Sequence, residues 1–454
     1  MSTVTSVGSV APQEAAPPIA KKRWLTVVVL SLLQTVENSE GGLINGLFPV
    51  IRADLGLTLG SLGVLTSVGK FARMIFGPIW AMLGDRYGRK LILVVTALWG
   101  IWTMAAGLAQ DFNGLLLLYA IGVSGTVASE PISNGLVSDL FKPEERGKVY
   151  GSLRSIGGFL GIVITPLLGQ LAGVPDNQGW RIGMYIMGGI GVLSGIMTWI
   201  FVTDPRKAGG IAVAATADEP APEPAKEEGF KFSHVPRLLA IPTVALLGVQ
   251  LLFITSLVLF AFLVTFLVDV RHYSTQEANV IYSVFLLGFT VSSFLGGLLG
   301  DWFAKRNPRT GRITLMQFYL AAFAVLSFLA MQIDWGSNHV LEYGIWLIFG
   351  LVGSIGFSGC VLPMVSSVVL PQYRGTAFAL LFSFIQGAIA ALLSLALGDL
   401  AQQYGLRPVM LGLITIPYAI NALFWFAFYR FYPRDQERLK QQLTGEQAAA
   451  PANA

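Results

Sequence analysis

Twelve apolar runs of bilayer-crossing length divide the sequence, at 25–51, 58–83, 91–109, 113–140, 148–171, 182–203, 237–268, 276–299, 313–332, 340–370, 374–400 and 406–430. A hydrocarbon core about 30 Å thick takes about 20 residues of apolar helix. Several runs exceed 25 residues, which calls for tilt, kinks or ends beyond the core. Composition agrees, because 12% of the residues are charged where a soluble domain carries about 25%. One cysteine, Cys360, and the lack of any heptad or Gly-X-Y pattern exclude a disulfide scaffold, a coiled coil and a collagen. The chain reads as a polytopic, all-α membrane protein.

Its organisation follows from charge and repetition. Residues 1–24 read as an N-terminal tail, 25–203 as a six-helix bundle, 204–236 as a linker, 237–430 as a second six-helix bundle and 431–454 as a C-terminal tail. The linker contains the Ala/Glu/Pro-rich stretch Ala214 to Glu228, a flexible composition. No positively charged start precedes an apolar stretch within Met1 to Ala20, so the run after Lys21-Lys22-Arg23 is expected to stay as the first span. Of the 30 Lys and Arg, 23 fall at the termini and the even-to-odd loops with their bordering span ends. Four (Arg52, Arg181, Arg271, Arg407) fall on the opposite side and three inside spans. This asymmetry places both termini and the linker in the cytoplasm. The halves also repeat. Gly84-Asp85-Arg86 recurs as Gly300-Asp301-Trp302, and Asp204-Pro205-Arg206 is echoed by Tyr432-Pro433-Arg434. Pro143-Glu144-Glu145-Arg146-Gly147 returns as Pro371-Gln372-Tyr373-Arg374-Gly375; these last two repeats share an offset of 228 residues. Parallel halves around a midplane site are a transporter design.

Over essentially its whole length the chain resembles the major facilitator superfamily. Gly84-Asp85-Arg86-Tyr87-Gly88-Arg89-Lys90 matches that family's loop between spans two and three, with Ala81 at the position of the first glycine. Gly88 permits the tight turn. The resemblance implies a cytoplasmic gate latch of Gly84, Asp85, Arg86, Gly88 and Arg89, with Asp139 in span four as the acid it engages. It also implies twelve helices in two halves related by a pseudo-two-fold axis. Gly161-x-x-x-Thr165-Pro166-x-x-Gly169 resembles the antiporter signature, with Thr165 and Gln170 as departures. Ser129-Glu130, Gly179-Trp180-Arg181 and Asp204-Pro205 look like the spinster-type lipid transporters and the organic-anion symporters. Span one reads Glu37-Asn38-Ser39-Glu40, which departs from the pattern of those two groups.

Ionisable residues inside the bilayer cost about 2.5–3.5 kcal/mol each on insertion scales, so each calls for a partner or a role. Here they are Glu37, Glu40, Lys70, Arg73, Glu130 and Arg154, all in the first half. The second half offers Gln250, Gln317, Gln386 and Asn421 instead. At 1.5 Å per residue, Glu37 and Arg73 lie about 18 Å above the cytoplasmic edge and Glu130 about 16–17 Å. Arg154 lies lower, at about 9 Å. Glu37 with Glu40, and Lys70 with Arg73, are i,i+3 pairs on shared helix faces. Gly41-Gly42 and Pro131 are expected to loosen their helices just beyond Glu40 and Glu130. Two neighbouring carboxylates in a low dielectric do not both ionise cheaply, which suits a proton carrier.

Glu130, assisted by Glu37 or Glu40, is therefore the expected coupling group. Arg73, with Lys70, Asn38, Asn134 and Arg154, is the candidate substrate contact. The alternatives are a static ion-pair network for Glu37, Arg73 and Glu130, and gate bracing for Arg154 and Lys70. Phe253, Phe260, Phe262, Phe266, Phe285, Phe289, Phe294, Phe357, Phe382 and Phe384 are expected mostly against lipid or between helices; the alternative is an apolar wall opposite the charged half. No phosphate-binding G-x-x-x-x-G-K-[ST] loop, metal-ligand spacing or nucleophile–base constellation is present, so no enzyme, metal or cofactor is expected. The expectation is a monomeric, proton-driven secondary transporter of a small organic anion or amphipathic solute, lodged in the lipid bilayer of a bacterial inner membrane, with no nucleic-acid partner. Its rivals are a proton/drug antiporter and a non-transporting receptor or structural protein.

Overall fold

The computed structural model describes residues 19–141, 143–202, 234–254, 256–335 and 339–449; the side chains of 19–22, 138–139, 143–148, 154, 256–257, 372 and 444–449 fall outside that description. Helix dominates throughout. Ten helices among the described residues are long and apolar enough to cross a membrane, and they coincide with ten of the twelve apolar runs. The other two fall short for different reasons. Span one, Ile19–Leu55, is a 37-residue helix whose middle carries Gln34, Glu37, Asn38 and Glu40, which lowers its hydropathy. Span seven is broken into Pro242–Gln250 and Ser256–Asp269, with a turn through Leu251 to Ile254 between them.

The expected loosening in the first half is corrected in part. Span one runs through Gly41-Gly42 as unbroken helix. Span four does part, into Phe112–Thr126 and Ser129–Leu140, but the break precedes Glu130. Pro131 explains it, since its ring removes the donor for the Val127 carbonyl and crowds that carbonyl. In the second half, spans ten, eleven and twelve each include a widened π-helical stretch, at Phe357–Val361, Ala379–Ile385 and Leu411–Thr415. Such bulges shift the register of a face without breaking the helix.

Because lipid tails are as apolar as leucine, membrane helices associate through close packing and polar contacts. Span six, Gly179–Phe201, buries a stripe of Gly183, Met184, Met187, Gly188, Gly191, Ser194, Gly195 and Thr198. Outward-facing residues are large and apolar, such as Phe159, Trp199, Phe294 and Leu423, as a bilayer-embedded bundle requires.

The sequence repeat reappears as a repeated contact at the end of the bundle that carries the termini. Arg89 pairs with Asp85 at 2.8 Å and donates to the Gly135 carbonyl. Arg312 pairs with Asp301 at 3.0 Å and donates to the Gly359 carbonyl at 2.5 Å. Each arginine thus ties the loop after one span to a neighbouring span of its own half. Gly88 takes φ 110°, a backbone conformation that favours glycine.

At the opposite, distal end the two halves meet. Arg52 forks onto Asp269 with bonds of 2.6 and 2.5 Å, Asn279 donates to the Gly46 carbonyl at 2.9 Å, and Ser67 donates to the Ala391 carbonyl at 2.5 Å. Span two (Leu59–Tyr87) and span eleven (Arg374–Tyr404) touch backbone to backbone there. A methyl group on Gly63 would stand 2.6 Å from the Ser394 carbonyl oxygen and 3.2 Å from the Gly398 Cα. Gly63→Val is therefore expected to part the halves distally. In a Cys360→Ser background, cross-linking between Leu59→Cys and Gln402→Cys by a short bifunctional thiol reagent measures this. Yield should fall severalfold with Gly63→Val and hold with Gly77→Ala, where a methyl meets nothing within 4 Å.

Candidate functional site

Three spans bring ionised groups together inside the first half. The break at Val127-Ala128 starts a new helix with Ser129 and Glu130 in its first turn. Ser129 turns its hydroxyl to the Glu37 carboxylate of span one, to which it donates. Arg73 of span two sits between the two acids, 2.9 Å from Glu37 and 2.8 Å from Glu130. The Glu37 side chain is 4% exposed, while those of Arg73 and Glu130 are 46% and 50% exposed. One guanidinium thus holds a buried carboxylate on one side and a solvent-reachable one on the other. The depths read from the sequence correspond to real contact.

The i,i+3 partners diverge. Glu40 is buried and accepts from the Thr103 hydroxyl at 3.0 Å, with no cation within ion-pair distance among the described residues. Lys70 reaches across to the second half, donating to the Ser394 hydroxyl at 2.7 Å and the Ala390 carbonyl at 3.4 Å. All five charged groups except Glu130 line one cavity of about 240 Å³, together with Asn38 and Tyr119. Lys70 therefore faces the cavity and braces the distal seal at once.

The other predicted residues are placed as follows. Asn38 is exposed and its amide donates to the Gln34 carbonyl at 2.9 Å. Asn134 is exposed, lines none of the described cavities, and its carbonyl accepts from the Tyr150 hydroxyl at 3.0 Å. Gly84 and Gly88 bracket the turn that carries Asp85 and Arg86, and the Arg86 guanidinium lies 5.4 Å from the centre of the Tyr87 ring. The side chains of Asp139 and Arg154 lie outside the described residues. Tyr119 was not singled out from sequence. It lies in the part of span four before the break at Val127-Ala128, so counting back from Glu130 along one helix does not place it. A methyl group on Gly69 would come within 2.9 Å of its hydroxyl, so glycine there makes room for the phenol.

A second cavity, about 350 Å³, opens in the other half and differs in character. Phe260, Phe289, Phe357, Phe382, Tyr319 and Tyr418 line it, with Gln250 and Gln386 as polar points. The break in span seven and the π-helical stretches of spans ten and eleven all contribute lining residues. Trp425 donates its indole N–H to Gln250 at 3.0 Å, fixing that amide. Of the phenylalanines, Phe262, Phe266 and Phe285 are buried between helices and Phe294 faces outward. The apolar wall and the packing roles both exist, assigned to different rings.

A profile of the Major Facilitator Superfamily matches residues 30–392, so the chain belongs to that superfamily, whose members are transporters rather than enzymes. A probable 4-methylmuconolactone transporter of Cupriavidus pinatubonensis is 25% identical over 380 residues, 82% of either chain. The quinolone resistance protein NorA of Staphylococcus aureus is 29% identical over 168 residues. That match spans 37% of this chain and 42% of NorA, less than half the length of that relative. The fold is similar to that of a bacterial homologue of the human lysosomal transporter spinster in an inward-facing, unoccupied conformation. The TM-score is 0.75 at 20% identity, covering 93% of this chain and 99% of that one. It is also similar to a D-xylose-proton symporter, with a TM-score of 0.70 at 13% identity over 90% and 99%. The chain is thus a multi-pass membrane protein with the twelve-helix, two-half fold of that superfamily.

Removing Arg73 strands Glu37 in burial. Breaking a fully buried pair costs about 3–5 kcal/mol, and the partial exposure of Arg73 brings the expected loss for Arg73→Gln to about 1–3 kcal/mol. Glu130→Gln, at a solvent-reachable position, should cost less than about 1 kcal/mol. Thermal unfolding of the purified variants checks the order, and Glu37→Gln/Arg73→Gln should recover most of the loss.

Proposed function

We propose that this protein is a proton-coupled secondary transporter for a small amphipathic solute with an anionic end, set in a bacterial inner membrane with its termini in the cytoplasm. The observation that carries this reading is the Arg73 guanidinium shared by Glu37 and Glu130 in a cavity of the first half. Glu130 is the acid reachable by water, so it is the one that exchanges a proton. When it is protonated, one side of Arg73 is released for an anionic group, while Glu37 keeps the arginine in place. The aromatic cavity of the second half supports the same reading, since it offers the apolar end of the solute a wall.

Alternating access needs one end of the bundle closed while the other is open. Contacts between the halves gather at the distal end, and the basic excess at the terminus-bearing end fits the cytoplasmic side. On this reading the molecule is open toward the cytoplasm. Opening distally requires Lys70 to leave Ser394, which frees its ammonium for the carboxylates of its own cavity. The energy source on this reading is the proton gradient, with no cofactor, and one chain suffices.

A second reading has support of its own. The cluster carries one more acid than base, so its deprotonated form suits a cationic solute, and the name of NorA refers to quinolone resistance. Proton/drug antiport is then the function. Liposomes loaded with a pH-sensitive dye separate the two. An added organic anion should acidify the lumen in symport, and an added cation should make it alkaline in antiport. Glu130→Gln should abolish either signal while retaining gradient-independent solute exchange. Lumen pH unchanged for every member of a panel of anions, lysolipids and cationic dyes would overturn both.

A further inference from the structure

A cavity unrelated to the carboxylate cluster lies at the terminus-bearing end of the second half, and at about 400 Å³ it exceeds both cavities of the central site. Four parts of the chain converge on it. These are the short helix Val235–Leu239 ahead of span seven, the end of span ten at Val368, the turn Pro371–Tyr373, and the terminal helix Phe428–Ala449. Arg237 and Arg438 stand at its rim, both exposed, and neither guanidinium has a hydrogen-bond or ion-pair partner among the described residues. The floor is apolar, with Leu238, Ile241, Val368 and Leu439.

The acid that also lines this cavity is already engaged. Asp435 is buried and accepts from the Thr243 backbone N–H at 2.9 Å and the Thr243 hydroxyl at 2.6 Å, holding the start of span seven. Glu437, two residues on, pairs with Arg309 at 3.2 Å. His234 and Tyr373 meet edge to face at 4.8 Å between ring centres and form one wall. Two arginines without anionic partners, beside one acid bound to a helix start, leave the rim cationic. A guanidinium pair matches the oxygens of a phosphate group. An apolar floor beside it matches the glycerol and first methylenes of a lipid, which a free inorganic anion does not need.

We propose that this cavity binds the headgroup of an anionic phospholipid, with the phosphate held between Arg237 and Arg438 and the glycerol region on Leu238, Ile241 and Leu439. The location agrees, since basic pockets between helices on the cytoplasmic side take such headgroups. Because the lining comes from the approach to span seven, the end of span ten and the terminal helix that continues span twelve, a bound lipid bridges three spans of one half.

The test uses the full-length protein in a neutral detergent, with thermal unfolding as the readout. Short-chain phosphatidylglycerol, short-chain phosphatidylcholine and inorganic phosphate are titrated separately. Phosphatidylglycerol should stabilise the protein in a saturable manner, with phosphatidylcholine much weaker. Arg237→Gln/Arg438→Gln should weaken the apparent affinity by roughly tenfold or more, and Arg438→Gln alone should fall between. Arg434→Gln, an exposed arginine outside the cavity lining, should leave the titration unchanged. Equal stabilisation by phosphatidylcholine, or an undiminished response in the double variant, overturns the proposal. Full stabilisation by inorganic phosphate alone overturns it too, in favour of a soluble anion.

Discussion

Arg73 lies between two carboxylates from different spans, and the polar interior of the first half is arranged around that contact. Inside a bilayer a lone charge has no water to relax it, so ionised side chains persist only where opposite charge and hydrogen-bond donors meet them. Glu37 satisfies this condition twice, through Arg73 and Ser129. Ser129 donates from the first turn of the helix that restarts after the break Pro131 causes in span four. A backbone defect in one span thus supplies a donor to an acid in another.

The two halves share a scaffold and differ in lining. At the terminus-bearing end the likeness is close, since Arg89 and Arg312 each join an aspartate and a backbone carbonyl in the same way. Toward the centre it is lost. One half presents carboxyl, ammonium and guanidinium groups, the other presents aromatic rings with two amides. The irregular backbone follows the same division, with a proline break beside the charges and π-helical turns beside the rings. Each irregularity turns side chains toward a cavity that a regular helix would have turned elsewhere.

Span positions were legible because apolar length is a one-dimensional property, and eleven of the twelve runs became continuous or singly interrupted helix near the expected bounds. The break in span seven was not, since Leu251 to Ile254 are as apolar as their flanks and no proline or glycine marks the turn. Convergence of Glu37, Arg73 and Glu130 could be read because depth follows from counting residues, and helical phase held well enough across three spans. What Lys70 and Glu40 touch could not be read. Spacing says which residues share a face, but the partner on the facing helix depends on how helices cross. Arg312 was missed for a related reason: its aspartate repeats in sequence, while the arginine follows that aspartate by eleven residues where Arg89 follows Asp85 by four.

The distal seal has a property that bears on how such a protein can change over time. Ser67, Lys70 and Asn279 each direct a donor at a main-chain carbonyl of the other half, at Ala391, Ala390 and Gly46. A carbonyl is present whatever side chain the accepting residue carries. At Ala390 and Ala391 the accepting helix can therefore exchange side chains without dismantling the closure, whereas Gly46 cannot, because a methyl group there would stand 2.6 Å from the Asn279 Oδ1. Tolerance at two acceptors and strict demand at the donors and at Gly46 would leave an uneven record of substitution across the seal.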